Sequence, residues 1–252
     1  MYYEKLYPVH NFDFDKNRKL KPMTVMNFLQ DISTQHFETA TAHVSEEVLK
    51  GLWVIVEWQV DFHQMPSLVS CLKVKTIPTY FRKFIAYRDY VIEDDAGNLI
   101  ASGMSKWAYI DPISRKQVQI PKILNAIFSV REDADKPSKI EFETREENET
   151  LFQPQETQEK ISVYSDLDVN HHVNNITYLR WAIDSLGSQF MDGVILSSLK
   201  VNFKREVFEG EIVMIETHKK ITADKAVTLH DIKTEKGELC VKVQLDWQCV
   251  NK

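Results

Sequence analysis

The same succession of residues runs through this chain twice, and that repeat limits the fold more than any other feature. An offset of 141 lays Val60, Phe62, Val74 and Thr76 onto Val201, Phe203, Ile215 and Thr217. An offset of 140 lays Gly97, Leu99 and Trp107 onto Gly237, Leu239 and Trp247. At the front, an offset of 153 lays Asp13, Asp15, Asn17, Thr24 and Asp31 onto Asp166, Asp168, Asn170, Thr177 and Asp184. A fixed internal period means that one supersecondary unit is used more than once.

Hydrophobic periodicity gives the unit its elements. A short strand covers Tyr2–Val9, and a polar segment follows. Pro22 suits the first turn of a helix, along which Met23, Met26, Phe28, Leu29, Ile32 and Phe37 recur through about Ala40. Thr41–Gly51 reads as a connection with a short helix at Ser45–Leu49, and the larger front offset is assigned to its extra length. Four strands are expected at Leu52–Phe62, Leu68–Pro78, Phe84–Asp94 and Leu99–Asp111, with a hairpin signal at Asp95–Asn98. A helix start near Pro121 leads into an acidic, polar tract that reads as an exposed linker. The plan then returns, with strands at Val194–Phe203, Glu211–Lys220, Ala226–Thr234 and Leu239–Val250. The expected domains are 1–125 and 157–252, joined by a linker over 126–156.

The copies differ where chemistry is at stake. Lys19 stands where His172 stands, and Met65 where Glu206 stands, so two ionisable groups suited to proton transfer exist only in the second copy. His172 belongs to the stretch YSDLDVNHHVNNITYLRWAID, which opens polar and becomes an apolar helix near Val173, with Asn174 as the expected cap. In an extended lead-in, Asp168, Asn170 and His172 at i, i+2 and i+4 share one face and His171 lies on the other, and Asp166 and His171 are expected in structural or solvent-facing roles. Backbone N–H groups at the helix start, from Val173, Asn174 and Asn175, attract developing negative charge. The pair His171–His172 has no Cys or further His at ligand spacing, so neither a metal nor another cofactor is expected.

Composition excludes several classes. A net charge of −6 argues against a nucleic-acid binder. Cys71, Cys240 and Cys249 make no disulfide framework and fit a reducing compartment. No run approaches a membrane span, and the opening residues do not read as a secretory signal, so a cytoplasmic chain without membrane attachment is expected.

The segment DLDVNHHVNNITYLRW resembles plant-type acyl-(acyl carrier protein) thioesterases, as do LKVNFKREV, LWVIVEWQVDFHQMP and ASGMSKWAYIDPISRKQVQIP. The resemblance implies an α+β tandem (double) hot-dog fold, two antiparallel sheets each wrapped around a long helix. It implies hydrolysis of a fatty acyl thioester on 4'-phosphopantetheine-bearing acyl carrier protein, releasing free fatty acid in fatty-acid biosynthesis. The family's catalytic Asp, Asn and His fall on Asp168, Asn170 and His172, and the carboxylate expected on the next strand falls on Glu206. The following residue, often Cys in that family, is Val207, which excludes a thiol nucleophile there. The start of the chain directly on the fold points to a bacterial-type member.

Hydrolysis needs a base for water, donors for the oxyanion and a group that positions one of the reactants. Glu206 and His172 both qualify as base at this level, and direct attack by Glu206 is a third route. Met23, Met26 and Phe28 are candidates for the acyl-chain wall, since Met adapts to flexible ligands. The first domain then serves as a non-catalytic shelter. Lys200, Lys204 and Arg205, with Lys219, Lys220, Arg82, Lys83 and Arg88, are candidates for docking an acidic carrier, and a homodimer is compatible with the sequence. Competing expectations are an acyl-CoA thioesterase, a hot-dog hydratase or dehydratase, and a non-catalytic acyl-binding module.

Overall fold

A computed structural model describes residues 1–66, 69–144, 152 and 155–250. They fall into two compact units, Met1–Ile140 and Glu141–Lys252. In the first, β1 (Tyr3–Pro8), β2 (Leu52–Phe62), β3 (Cys71–Arg82), β4 (Ile85–Asp94) and β5 (Leu99–Ile110) form antiparallel pairs in the order β1-β3-β4-β5-β2. Helix α1 (Pro22–Thr41) packs on β1 and β3, and α2 (Ile123–Ile127) follows the sheet. In the second, β6 (Glu156–Ile161), β7 (Val194–Phe203), β8 (Ile212–Ile221), β9 (Lys225–Thr234) and β10 (Leu239–Cys249) repeat that order as β6-β8-β9-β10-β7. Helix α3 (Asn175–Asp184) packs on β8 and β10, and a short α4 (Gly187–Met191) precedes β7. No helix among the described residues is long and apolar enough to cross a membrane.

The residues matched by the repeat are core residues. Val60, Val74 and Thr76 are buried in one unit, as are Val201, Ile215 and Thr217 in the other. Gly97 and Gly237 both adopt positive φ, 82° and 81°, at the tip of the last hairpin of each unit, a conformation that favours glycine. Even the irregularity repeats: the β2–β5 register shifts between Ile55 and Glu57, opposite Lys106 and Trp107, and the β7–β10 register shifts at Asp246 and Trp247.

Four expectations about the fold need correction. The extra residues of the first half lie mainly in the helix, because α1 has 20 residues and α3 has 10. The second helix is therefore not long: after Ser185 the chain turns at Gly187, whose φ is 75°. No helix forms at Ser45–Leu49, where the backbone makes only turns. The tract after residue 126 is not simply an exposed linker, since Phe128, Val130 and Ile140 are buried, the first two with Tyr109, Ile120 and Leu124. These apolar residues are too sparse and aperiodic for a pattern argument to find them. The third strand begins at Cys71 and continues to Arg82; the expected start at Leu68 and part of the expected 126–156 linker lie outside the described residues.

A polar network is buried in the second unit. His230 Nδ1 lies 3.0 Å from Thr217 Oγ1 and 3.4 Å from Ser185 Oγ, and its Nε2 lies 3.0 Å from Thr228 Oγ1. Burial first, then the charges of Lys219 and His218, push the imidazole down from 6.5 to about 3. Between these values the unfolded chain binds a proton that the folded chain refuses, so stability falls as pH drops through that window. His230→Asn removes this contribution. Urea unfolding at pH 6.5 and 4.5 is expected to show a wild-type loss exceeding that of the variant by about 2 kcal/mol.

Candidate active site

The lead-in to α3 is a closed turn. Leu167 and Val173 form an isolated antiparallel bridge, the Asp168 N–H donates to His172 O at 3.0 Å, and the His171 N–H donates to Asp168 O at 3.0 Å. His171 takes φ 63° to complete the reversal. The expected strand-like alternation is therefore absent; Asp168 and His172 meet because the turn folds their side chains together. Asp168 Oδ1 accepts the Asn170 N–H at 2.8 Å and lies 3.7 Å from His172 Nδ1. Asn170 is exposed and joins the cluster through its backbone.

Glu206 arrives from a different segment, three residues beyond the end of β7 rather than on the strand itself. The Val173 N–H donates to Val207 O at 2.8 Å, and the Val207 N–H donates to Tyr178 Oη at 3.1 Å. These two bonds hold the residue next to Glu206 against the turn and against α3. Upstream, the N–H groups of Lys204 and Arg205 both donate to Cys240 O. The result is a Glu206 Oε1 to His172 Nε2 distance of 3.6 Å. His172 and Asp168 are largely buried, and Glu206 is about one-third exposed, with side-chain exposures of 16%, 13% and 36%.

Proton arithmetic defines what this array can do. His172 Nδ1 faces only acceptors, Asp168 Oδ1 and, at 3.3 Å, Val173 O. That side of the ring therefore carries a proton. The contact between Nε2 and Glu206 is then attractive only while one of the two groups holds a second proton. A carboxylate–imidazole pair sharing one proton at an accessible edge can accept a proton from water and return it to a leaving group.

Asp166 is structural. It is buried, accepts the Val163 N–H at 3.0 Å and pairs with Arg180 of α3. His171 is exposed. Asn174 caps α3 as expected, accepting the Ile176 N–H at 2.9 Å. Of the three expected oxyanion donors, two are already used: Val173 N–H is bound to Val207 O, and Asn174 N–H to Asp166 O at 2.8 Å. Asn175, the first helical residue, retains an N–H without an intrahelical partner.

The other expected sites also shift. Arg205 is held by Glu211 at 3.0 Å and approaches Glu238 at 3.7 Å, so its charge is already neutralised. Lys219 pairs with Glu156 at 2.9 Å, Lys220 pairs with Glu143, and Arg88 is buried. Lys204 is exposed, and Lys200 Nζ donates to Glu141 O at 2.8 Å. In the first unit Arg82 and Lys83, with Lys106 and Lys136, line a cavity of about 520 Å³. A second cavity of that unit, about 370 Å³, lies beside the C-terminal half of α1 at Ser33, Thr34 and Phe37. Met23, Met26 and Phe28 do not line it: Met26 is core, and Phe28 stacks on Tyr7 with ring centroids 4.4 Å apart. Sequence reasoning did not find Tyr178 and Val207 as positioning residues, because their roles depend on a hydroxyl and a backbone N–H meeting across 29 residues.

A model of the acyl-ACP thioesterase N-terminal domain matches residues 1–128, and one of the C-terminal domain matches residues 150–249. The chain belongs to the acyl-ACP thioesterase family. Among curated members of this family, the chloroplastic palmitoyl-acyl carrier protein thioesterase of Arabidopsis thaliana is 24% identical, over 96% of this chain and 62% of its own length. The chloroplastic oleoyl-acyl carrier protein thioesterase 2 of the same plant is 22% identical, over 84% of this chain and 61% of its own length. The chain thus spans about three-fifths of the length of these relatives.

Solved structures share the fold. An acyl-ACP thioesterase from Bacteroides thetaiotaomicron superposes with a TM-score of 0.77 at 19% identity, covering 98% of this chain and 97% of its own. The 12:0-ACP thioesterase of Umbellularia californica gives 0.76 at 16%, over 99% and 98%. A hot-dog-fold protein from Alicyclobacillus acidocaldarius gives 0.57 at 7%, over 99% and 94%. The α+β tandem hot-dog expected from the resemblance is therefore the fold of this chain.

In this member of the family, Tyr178→Phe is expected to leave the buried Val207 N–H without an acceptor, costing about 1–3 kcal/mol in urea unfolding. An unchanged midpoint would show that the hydroxyl does not hold the Glu206 segment.

Proposed function

We propose that this chain hydrolyses fatty acyl thioesters of acyl carrier protein and releases free fatty acid. One observation carries the reading beyond family membership: the array Asp168–His172–Glu206, with contacts of 3.7 and 3.6 Å, whose counterparts in the first unit are Lys19 and Met65 at the His172 and Glu206 positions. A scaffold present twice carries proton-transfer groups once.

In this reading the pair Glu206–His172 takes a proton from water as the water oxygen bonds to the thioester carbon. Asp168 and Val173 O hold the Nδ1 side of the ring, so Nε2 stays turned toward Glu206. The Asn175 N–H and the Asn170 side-chain amide are the donors for the oxyanion, contributions typically worth about 10²–10³ in rate. Collapse of the tetrahedral adduct breaks the C–S bond, and the proton passes to the departing sulfur. The first unit shelters the acyl chain, and domain 157–252 carries the chemistry.

The carrier itself is acidic in general, and in the second unit Lys200 and the exposed Lys204 are the candidates for docking it. The setting that follows is fatty-acid biosynthesis in the cytoplasm, without membrane attachment and with the protein as a monomer or a homodimer.

A thiol-release assay on acyl carrier protein loaded with chains of graded length tests the proposal. Wild type is expected to turn over and to prefer acyl carrier over matched acyl-CoA. His172→Ala and Glu206→Gln are each expected to lower kcat by about 10²–10⁴. Free thiol from neither substrate, or full activity in both variants, overturns it.

A further inference from the structure

Four cations of the first unit line one cavity of about 520 Å³: Arg82 at the end of β3, Lys83 in the β3–β4 turn, Lys106 of β5, and Lys136. No carboxylate is among its lining residues. Lys106 pairs with Glu57 of β2 at 3.2 Å. Among the described residues Arg82, Lys83 and Lys136 enter no ion pair. Four cations against one carboxylate leave a positive excess, held where each charge repels the others. Tyr80 and Tyr87 line the same space, and their hydroxyls make no hydrogen bond among the described residues. Burial first, then the charge of Glu57, push the Tyr87 phenol up, so it stays a hydroxyl able to donate.

The cavity is held in shape. Lys83 takes φ 55°, a conformation that favours glycine, so a cation stands where the backbone would prefer no side chain. Its carbonyl accepts the Ile120 N–H at 2.7 Å, and Phe84 O accepts the Tyr109 N–H at 2.8 Å. The two bonds fix the turn against β5 and the segment ahead of α2. Lys106 is the register partner of Tyr87 on one side and of Glu57 on the other. Ala86, Arg88 and Trp107, their neighbours in sequence, line the cavity of about 370 Å³ beside α1. Alternation along the strands therefore puts the basic site on the opposite face of the sheet, with Tyr87 alone bordering both cavities.

The second unit lacks this cluster. Under the offset of 140, Asp246 stands where Lys106 stands and Val227 where Tyr87 stands, and the β9–β10 register pairs these two in the same way. The β8–β9 turn is Thr222, Ala223 and Asp224, without a cation. A chain of net charge −6 has gathered positive charge at one copy of a duplicated hairpin. We propose that this cavity binds a small anion carrying a diphosphate group, with its oxygens on the four cations and the two tyrosine hydroxyls. Guanidinium and ammonium groups are standard phosphate partners, and the volume lies in the small-molecule range. One phosphate monoester carries only about −1.5 to −2 at pH 7, so a second phosphoryl group matches the excess better. The inference goes beyond the hydrolytic reading and does not depend on it.

Calorimetry with pyrophosphate, ADP, orthophosphate and adenosine tests the proposal, at an ionic strength of about 0.15 M that screens diffuse surface attraction. Wild type is expected to bind pyrophosphate or ADP at least about tenfold more tightly than orthophosphate, a difference of about 1.4 kcal/mol, and the tighter of the two distinguishes a free diphosphate from one borne by a nucleotide. Lys83→Gly removes a cation where the backbone accepts glycine, which preserves the fold. That variant and Arg82→Gln are each expected to weaken binding at least about fivefold. Lys236→Gln, on the exposed surface of the second unit, should leave it unchanged. Equal affinity for orthophosphate, adenosine binding as tightly as ADP, no binding of either diphosphate, or equal losses in Lys83→Gly and Lys236→Gln overturns the proposal.

Discussion

A single backbone hydrogen bond, from the Val173 N–H to Val207 O at 2.8 Å, ties the turn that carries His172 to the segment that carries Glu206. With the Val207 N–H bond to Tyr178 and the Lys204 and Arg205 N–H bonds to Cys240 O, it brings two side chains 34 positions apart to within 3.6 Å. The bond is short in structural reach and large in consequence, because the turn is already rigid. The bridge between Leu167 and Val173, the Asp168 N–H bond and the positive φ of His171 leave His172 little freedom to move relative to Val173.

The first unit contains the same device. Phe14 and Leu20 form the bridge, Asp15 N–H donates to Lys19 O at 2.8 Å, Arg18 takes φ 60°, and Leu20 N–H donates to Pro66 O at 3.3 Å. The turn is therefore a structural solution to joining an edge strand to a helix, needed in both units. Its Asp residue serves the backbone in both: Asp15 Oδ1 accepts two N–H groups, from Asn17 and Lys19, and Asp168 Oδ1 accepts one, from Asn170. Asx-rich turns before helices commonly do no more than this. The two copies differ where imidazole stands in place of the Lys19 ammonium and carboxylate in place of the Met65 thioether.

The interiors diverge for another reason. Ten more residues in α1 bring Ser33, His36 and Phe37 over the sheet, where they meet Tyr90, Arg88 and the aromatic cavity wall. In the second unit α3 stops at Asp184, and Ser185 closes instead on Thr217 and His230. One unit keeps a fully satisfied neutral network. The other keeps a charged side chain beside open space.

The sequence alone determined the duplication, most strand positions, the cap at Asn174, and the asymmetry that singles out His172 and Glu206, because these are local or periodic properties that survive without coordinates. It also carried the family resemblance that the domain matches bear out. The tertiary structure decided the rest. It placed Asp168 by a turn instead of an extended face, consumed two expected oxyanion donors, paired Arg205 with Glu211, and buried Arg88, which sequence reading had assigned to the surface. Each of these depends on which distant group a donor or charge finds in space, and neither residue type nor spacing encodes that partner.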